Sequence, residues 1–425
     1  MFATFKQIFD TKNKDLRKRI GFTFLMLFIF KLGTTIVVPG IDKYQVTGNL
    51  GFLELLNTMG GGALETYSIF ALGVGPYITA SIVIQILQLD IIPYFSELKN
   101  QGQVGRIKLN RITTICAMVF AFIQGYLFSV VKISGLSPIQ YMEIALILTA
   151  GTAILMWFAN QITEKGVGNG MSLIIMAGII ASLPNMFATA FSSLVKTTST
   201  QALTLGIVEF IVFVLVYILI LVGIIFEQNA ERRIPIQYAN KSNSQYGGKQ
   251  TYMPFRLNSS GVIPVIFASA VITIPGIIAN FVNKDGFTLF VQKYLSMTSV
   301  TGFILYIALI IAFTYFYTFT VVIKTSEMAE NLNKNGGYIP GIRPGEDTDK
   351  YVKKVLKRIT FVGALALAFI AGLPIVFGLV TNLPSNVTIG GTGILIVVGV
   401  ALETYKQIES TLASRNYKGR RRWKV

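Results

Sequence analysis

Lys31, Glu209 and Glu403 sit in or near long apolar runs of this chain, and their types bound the chemistry it can perform. Lys31 falls within the first run, Glu209 near one end of the sixth and Glu403 near one end of the tenth. Each can snorkel to an interface or pair with a partner. None has the company a catalytic group needs. The 425 residues contain no histidine, which excludes Ser-His nucleophilic pairs, His-ligated metals and the HExxH zinc motif. The single cysteine, Cys116, lies in an apolar run and can form no disulfide within the chain. No GxxxxGK[ST] phosphate loop is present, so nucleotide hydrolysis by that route is excluded, and no pair of aspartates stands inside the apolar runs for an aspartyl protease. The expectation is a non-enzyme without cofactor or metal.

What remains is a set of aliphatic side chains on elements that must be membrane helices. The composition is 52% hydrophobic and 13% charged, too little charge for a soluble surface of this size. Runs of apolar residues long enough to cross a hydrocarbon core of ~30 Å stand near 20–38, 68–89, 112–131, 142–160, 171–188, 203–226, 261–281, 301–323, 359–380 and 390–405. The reading is an all-α integral membrane protein with ten transmembrane helices. The N-terminal segment 1–19 is too long and charged for a cleaved signal, so the first span should stay. With both termini cytoplasmic, 31 of the 37 Lys and Arg fall on the inner side and five lysines outside. That asymmetry sets the orientation by the positive-inside rule.

Segments 73–87 (GVGPYITASIVIQIL) and 261–275 (GVIPVIFASAVITIP) share nine of fifteen residues, including Gly73/Gly261, Pro76/Pro264 and Ala80-Ser81/Ala268-Ser269. The first opens an outside-to-inside span and the second an inside-to-outside one. The halves 20–190 and 203–405 therefore read as an inverted repeat of five helices each, with the functional axis between them. Secondary transporters share this plan, and symmetry alone leaves that alternative open. A transporter, however, ordinarily carries ionisable groups at mid-membrane. Here the repeated helices present Val74, Ile78 and Ile266 instead. An aliphatic constriction gates by dewetting; aliphatic residues on membrane helices otherwise simply face lipid or pack.

Between the first two spans, 52–66 is apolar but too short to cross. It carries Phe52, Leu53, Leu56 and Met59, then Gly60, Gly61 and Gly62. It reads either as a re-entrant piece folded into a cavity or as a surface loop with an amphipathic turn. Two long inner loops, 227–258 and 324–357, carry Arg232, Arg233, Lys241, Lys249, Arg256 and Arg343. They are either solvated connections or docking surfaces, since connections this long tend to be functional. The basic tail 406–425 has the composition of an anionic-lipid contact.

Eight motifs in order resemble the SecY family of protein-translocase channel subunits. They are Val38-Pro39-Gly40-Ile41-Asp42, Gly61-Gly62-Ala63-Leu64, Ser68-Ile69-Phe70-Ala71-Leu72-Gly73, Pro76-Tyr77-Ile78-Thr79-Ala80-Ser81, Gly168-Asn169-Gly170-Met171-Ser172, Arg232 to Ala239, Gly341-Ile342-Arg343-Pro344-Gly345 and Gly390-Gly391-Thr392. The resemblance covers about residues 15 to 415. It implies an hourglass channel in a bacterial cell membrane, with a pore ring at Val74, Ile78, Ile175, Ile179, Ile266 and Ile396. It implies a plug at 52–66 and a lateral gate of spans 2 and 3 against 7 and 8. It also implies docking of a SecA motor or the ribosome on the two inner loops, with Arg343 coupling the motor, and SecE-like and SecG-like partner subunits. Signal sequences would leave sideways into lipid while unfolded polypeptide passes through. Two departures from the family pattern, a third glycine at 60–62 and Val74 where Ile is frequent, leave that role intact.

Overall fold

The computed structural model describes residues 13–39, 54–88, 92–133, 135–195, 200–238, 251–282, 285–297, 299–381 and 383–421. In chain order the elements are α1 (Lys14–Gly33), α2 (Glu54–Met59), α3 (Gly75–Leu87), α4 (Pro93–Asn100), α5 (Gly102–Lys132), α6 (Pro138–Lys165), α7 (Gly170–Leu194) and α8 (Thr200–Asn229). There follow β1 (Glu231–Tyr238), β2 (Thr251–Arg256), α9 (Ile263–Val282), α10 (Asp285–Tyr294) and α11 (Val300–Tyr317), the last prolonged by a π turn (Thr318–Val322). The chain ends with α12 (Thr325–Lys334), β3 (Gly337–Tyr338), α13 (Glu346–Val380) and α14 (Ser385–Arg421). The fold is 79% helical. By length and composition six helices among the described residues can cross a membrane, namely α5 to α8, α11 and α13, and α3 and α9 are shorter apolar helices.

The first two apolar runs fold differently from simple spans. Helix was expected over 20–38, but α1 stops at Gly33, and 36–38 is extended and bonded to 67–69 through Val38 N to Tyr67 O (3.0 Å) and Ile69 N to Ile36 O (2.9 Å). Helix was expected from residue 68, but α3 begins only at Gly75. The cause is local: Gly73 turns the chain at φ +55°, where a side chain is disfavoured, and Pro76 stands in the first helical turn. The repeated segment does the same. Gly261 takes φ +65° and α9 starts at Ile263, the position equivalent to Gly75, with Pro264 next. The internal likeness is therefore carried by the backbone as well as by residue identity.

The described parts of the two expected inner loops are folded. β1 pairs antiparallel with β2, from Glu231↔Arg256 to Ile236↔Thr251, and with β3 through Gln237↔Tyr338, giving the order β2-β1-β3. Period-two alternation buries Ile234 and Ile236 and exposes Arg233 and Pro235. The buried face packs with Phe255, Leu332, Val352 and Leu356, so the sheet rides on α12 and the start of α13. The segment 346–357 was expected as loop but forms the first turns of α13. Glu346, Asp347 and Asp349 complement its N-terminal dipole, and Thr348, Val352, Leu356 and Ile359 line one buried stripe.

Segments expected on one side of the membrane meet at one end of the bundle. Leu16 of α1, Val167 between α6 and α7, and Leu412 of α14 share a cluster. Lys406 donates to the Gln228 carbonyl at 2.9 Å. At the other end Val38, Tyr67, Phe128, Ile133 and Leu148 form a second cluster.

Candidate functional site

Four helices deliver the aliphatic set to the centre of the bundle. Val74 and Ile78 come from the N-terminus of α3, Ile175 and Ile179 from α7, Ile266 from α9 and Ile396 from α14. All six belong to one buried cluster, with exposures between 0% for Ile179 and 6% for Ile78. The i, i+4 spacing on α3 and on α7 puts both members of each pair on one helix face. The repeat explains the rest: Ile266 occupies on α9 the place that Ile78 occupies on α3.

Met59, the last residue of α2, joins the same cluster. α2 packs against α7 and α14. Its end is a Schellman cap, with Gly62 N bonded to Asn57 O (2.9 Å) and Gly61 N to Thr58 O (3.1 Å) while Gly61 takes φ +72°. The glycine run thus serves to terminate a helix. The seat is close: a Cβ on Gly178 would collide with the Met59 carbonyl oxygen. Asn57 Oδ1 accepts from Glu65 N at 3.2 Å, tying the capped turn to the chain beyond it. Phe52 and Leu53 lie outside the described residues, as do the side chains of Glu54, Leu55 and Leu56.

On the opposite side of the aliphatic cluster is a cavity of about 460 Å³, lined by Thr163, Asn169, Ser172, Arg256, Glu403 and Lys406 among others. Ser172 is one turn from Ile175 on α7, and Val400, also in the lining, is one turn from Ile396 on α14. A polar cavity, an aliphatic waist and a capped short helix therefore follow one another along the bundle. α3 and α9 touch directly, and a small cavity between them is bordered by Met59, Ile78, Thr79, Gln124, Ile266 and Thr273. The six aliphatic side chains are buried from solvent, and a small cavity runs along the contact of α3 with α9. The site holds no constellation for bond chemistry, and no metal-binding group of His, Cys, Asp or Glu occurs among the described residues.

A family model described as SecY matches residues 68–405. The chain belongs to the SecY family. It is 46% identical over 436 residues to the protein translocase subunit SecY of Staphylococcus carnosus, covering 99% of each chain. To the SecY subunit of Bacillus subtilis it is 46% identical over 433 residues, again covering 99% of both. Among solved structures it resembles a protein-conducting channel at TM-score 0.68 and 17% identity, covering 93% of this chain and 92% of that one. It also resembles Sec61 in a canine ribosome–channel complex from the endoplasmic reticulum, at TM-score 0.65 and 17% identity over 93% of this chain and 92% of that one. At such identity these two establish the fold, a multi-pass helical membrane channel architecture.

Within this SecY-family fold the expected docking residues stand on the sheet and on the turn before α13. Arg232 and Arg233 are exposed on β1, where Arg233 pairs with Glu231 at 2.7 Å. Arg256 ends β2 and borders the polar cavity. Arg343 is exposed in the turn before α13, its carbonyl accepting from Thr348 Oγ1 at 2.9 Å. Next to it Lys350 holds Glu346 at 2.8 Å, and that hydrogen bond keeps the Glu346 carboxyl below the usual carboxylate range. Lys241 and Lys249 lie outside the described residues. Glu227, which sequence reasoning passed over, is buried at 3% exposure at the end of α8. It followed directly on an apolar run, so nothing in the sequence separated it from the first residue of a loop.

Proposed function

We propose that the chain is the pore subunit of a protein translocase, passing unfolded polypeptide through its centre and releasing apolar segments sideways into lipid. The observation that carries this is the gathering of six aliphatic side chains from both repeat halves into one buried waist beside the polar cavity. An aliphatic waist excludes water without offering hydrogen bonds that would trap a passing chain. Ten spans, both termini cytoplasmic, in the cell membrane is the topology that the lysine and arginine distribution supports. In this reading Val74, Ile78, Ile175, Ile179, Ile266 and Ile396 form the closed ring, and 52–66 is the plug that covers it. The halves are 20–190 and 203–405, and the α3–α9 seam is the exit to lipid.

Partition at that exit follows transfer energetics: Leu or Ile favours lipid by about 0.3–0.6 kcal/mol each and Lys or Asp opposes it by about 2.5–3.5 kcal/mol. A signal sequence therefore leaves through the seam while polar chain continues. The chain carries no phosphate loop, so the drive comes from outside it. The exposed arginines of the sheet and of the 341–345 turn suit a SecA motor or the ribosome, and relatives of this fold are known in ribosome complexes. SecE-like and SecG-like subunits would cover part of the apolar flank, and the basic tail suits anionic lipid.

The test is reconstitution into vesicles with a SecE-like subunit, a SecA-type motor and nucleotide, followed by protease protection of a secretory precursor. Protected precursor that depends on this chain is the expected result. Accumulation of a small solute without precursor protection would instead support the secondary transporter.

A further inference from the structure

Lys31 carries an ammonium group on the last turn of α1, amid the exposed apolar residues Phe28, Ile29 and Leu32. A charge there is costly and calls for a partner. It does not cap its own helix. The final carbonyls of α1 are already used, Phe30 O by Thr34 N (3.1 Å), Leu32 O by Thr35 N (3.1 Å) and Lys31 O by the Thr34 hydroxyl (2.7 Å). The Lys31 side chain reaches thirty residues along the sequence instead, and its Nζ donates to the carbonyl of Gly61 at 3.3 Å.

Gly61 is the left-handed residue of the cap that ends α2, and its other side faces the α7 backbone: a Cβ there would lie 3.3 Å from Gly178 Cα. The turn is thus gripped between a lysine and a glycine from two different helices. Farther along, the chain is sewn to the end of α1 by backbone bonds at 36–38 and 67–69, so that part is fixed. We infer that Lys31 is a positioning residue for the seal, a latch whose ammonium holds the capped turn of α2 and must let go before α2 can leave the ring. This rests on the reading of 52–66 as a plug. Lysine suits a releasable latch, because its flexible stem lets a compact, strongly hydrated charge swing back to water.

The test uses the complete channel with its partner subunits in planar bilayers and in vesicles. Lys31→Met is compared with Lys31→Arg, and seal position is read from a disulfide between Met59→Cys and Ile179→Cys in a Cys116→Ala background. Losing a hydrogen bond from a charged donor should raise the frequency of resting openings about ten- to a hundredfold in Lys31→Met. The resting disulfide should still form, since the closed state stays the major one, and precursor translocation should persist. Lys31→Arg should keep the opening frequency near the parent value, which a mere loss of stem packing would not explain. Unchanged openings in Lys31→Met, with the disulfide forming normally, would overturn the latch and leave the plug standing. No disulfide even with Lys31 intact would remove the plug reading and the latch together.

Discussion

At Ile266 the repeat and the waist meet in one side chain, so a single polar substitution is informative. Replacing it with Asn places a hydrogen-bonding group inside an aliphatic constriction, which favours wetting. Ile266→Asn should leak ions at rest in bilayer recordings and accept precursors with defective signal sequences; unchanged conductance would remove it from the ring. Gly178 tests the seat in a different way. A methyl group there would collide with the Met59 carbonyl, so α2 or α7 must shift. Gly178→Ala should destabilise the closed state by about 1–3 kcal/mol, the usual cost of overpacking, and raise resting conductance while the chain still inserts. The equivalent placement of Ile78 on α3 and Ile266 on α9 was legible because nine repeated identities pointed to it. Gly178 was not, since a glycine in an apolar helix signals a close approach without naming the neighbour.

The elements divide by how local their causes are. α5 to α8 follow directly from apolar runs, and their ends move outward because polar flanks continue each helix beyond the hydrocarbon-length stretch. The sheet was hidden. β1 and β3 are about a hundred residues apart in sequence, and β3 is two residues long, so no strand-length pattern announces it. Burial of Ile234 and Ile236 against α12 and α13 holds it in place. Arg343, by contrast, stands exposed in a turn, its carbonyl accepting from Thr348. Arg343→Glu should therefore leave folding and insertion intact while strongly reducing motor-driven translocation, since charge reversal at a docking surface costs several kcal/mol. Normal SecA-dependent protection of precursor by that variant would reduce 324–357 to a structural support. Deleting 52–66 should leave a working but leaky channel, because the ring residues come from other elements; loss of all transport would make α2 structural.

At the scale of the molecule, the seam between α3 and α9 decides whether the pore can also serve lipid. These two helices begin at equivalent positions of the repeat, each after a left-handed glycine and with a proline in its first turn. Their contact is bordered by Thr79, Gln124 and Thr273 together with the apolar Met59, Ile78, Ile266, Ala270, Ile274 and Ile277. Separating the two helices therefore exposes apolar surface, which lipid or an apolar segment entering the seam would cover again. The cavity beside it already lacks close packing. A covalent tie across the seam separates the two roles of the pore. Cysteines at Thr79 and Ala270 (with Cys116 replaced by Ala) joined by a short bifunctional reagent should block both translocation and membrane-segment release. A spacer long enough to let a helix of about 10 Å diameter pass should restore both. If the short tie stops release into lipid but leaves precursor translocation at full rate, the ring opens without the seam. The two exits would then be independent gates rather than one motion of the halves.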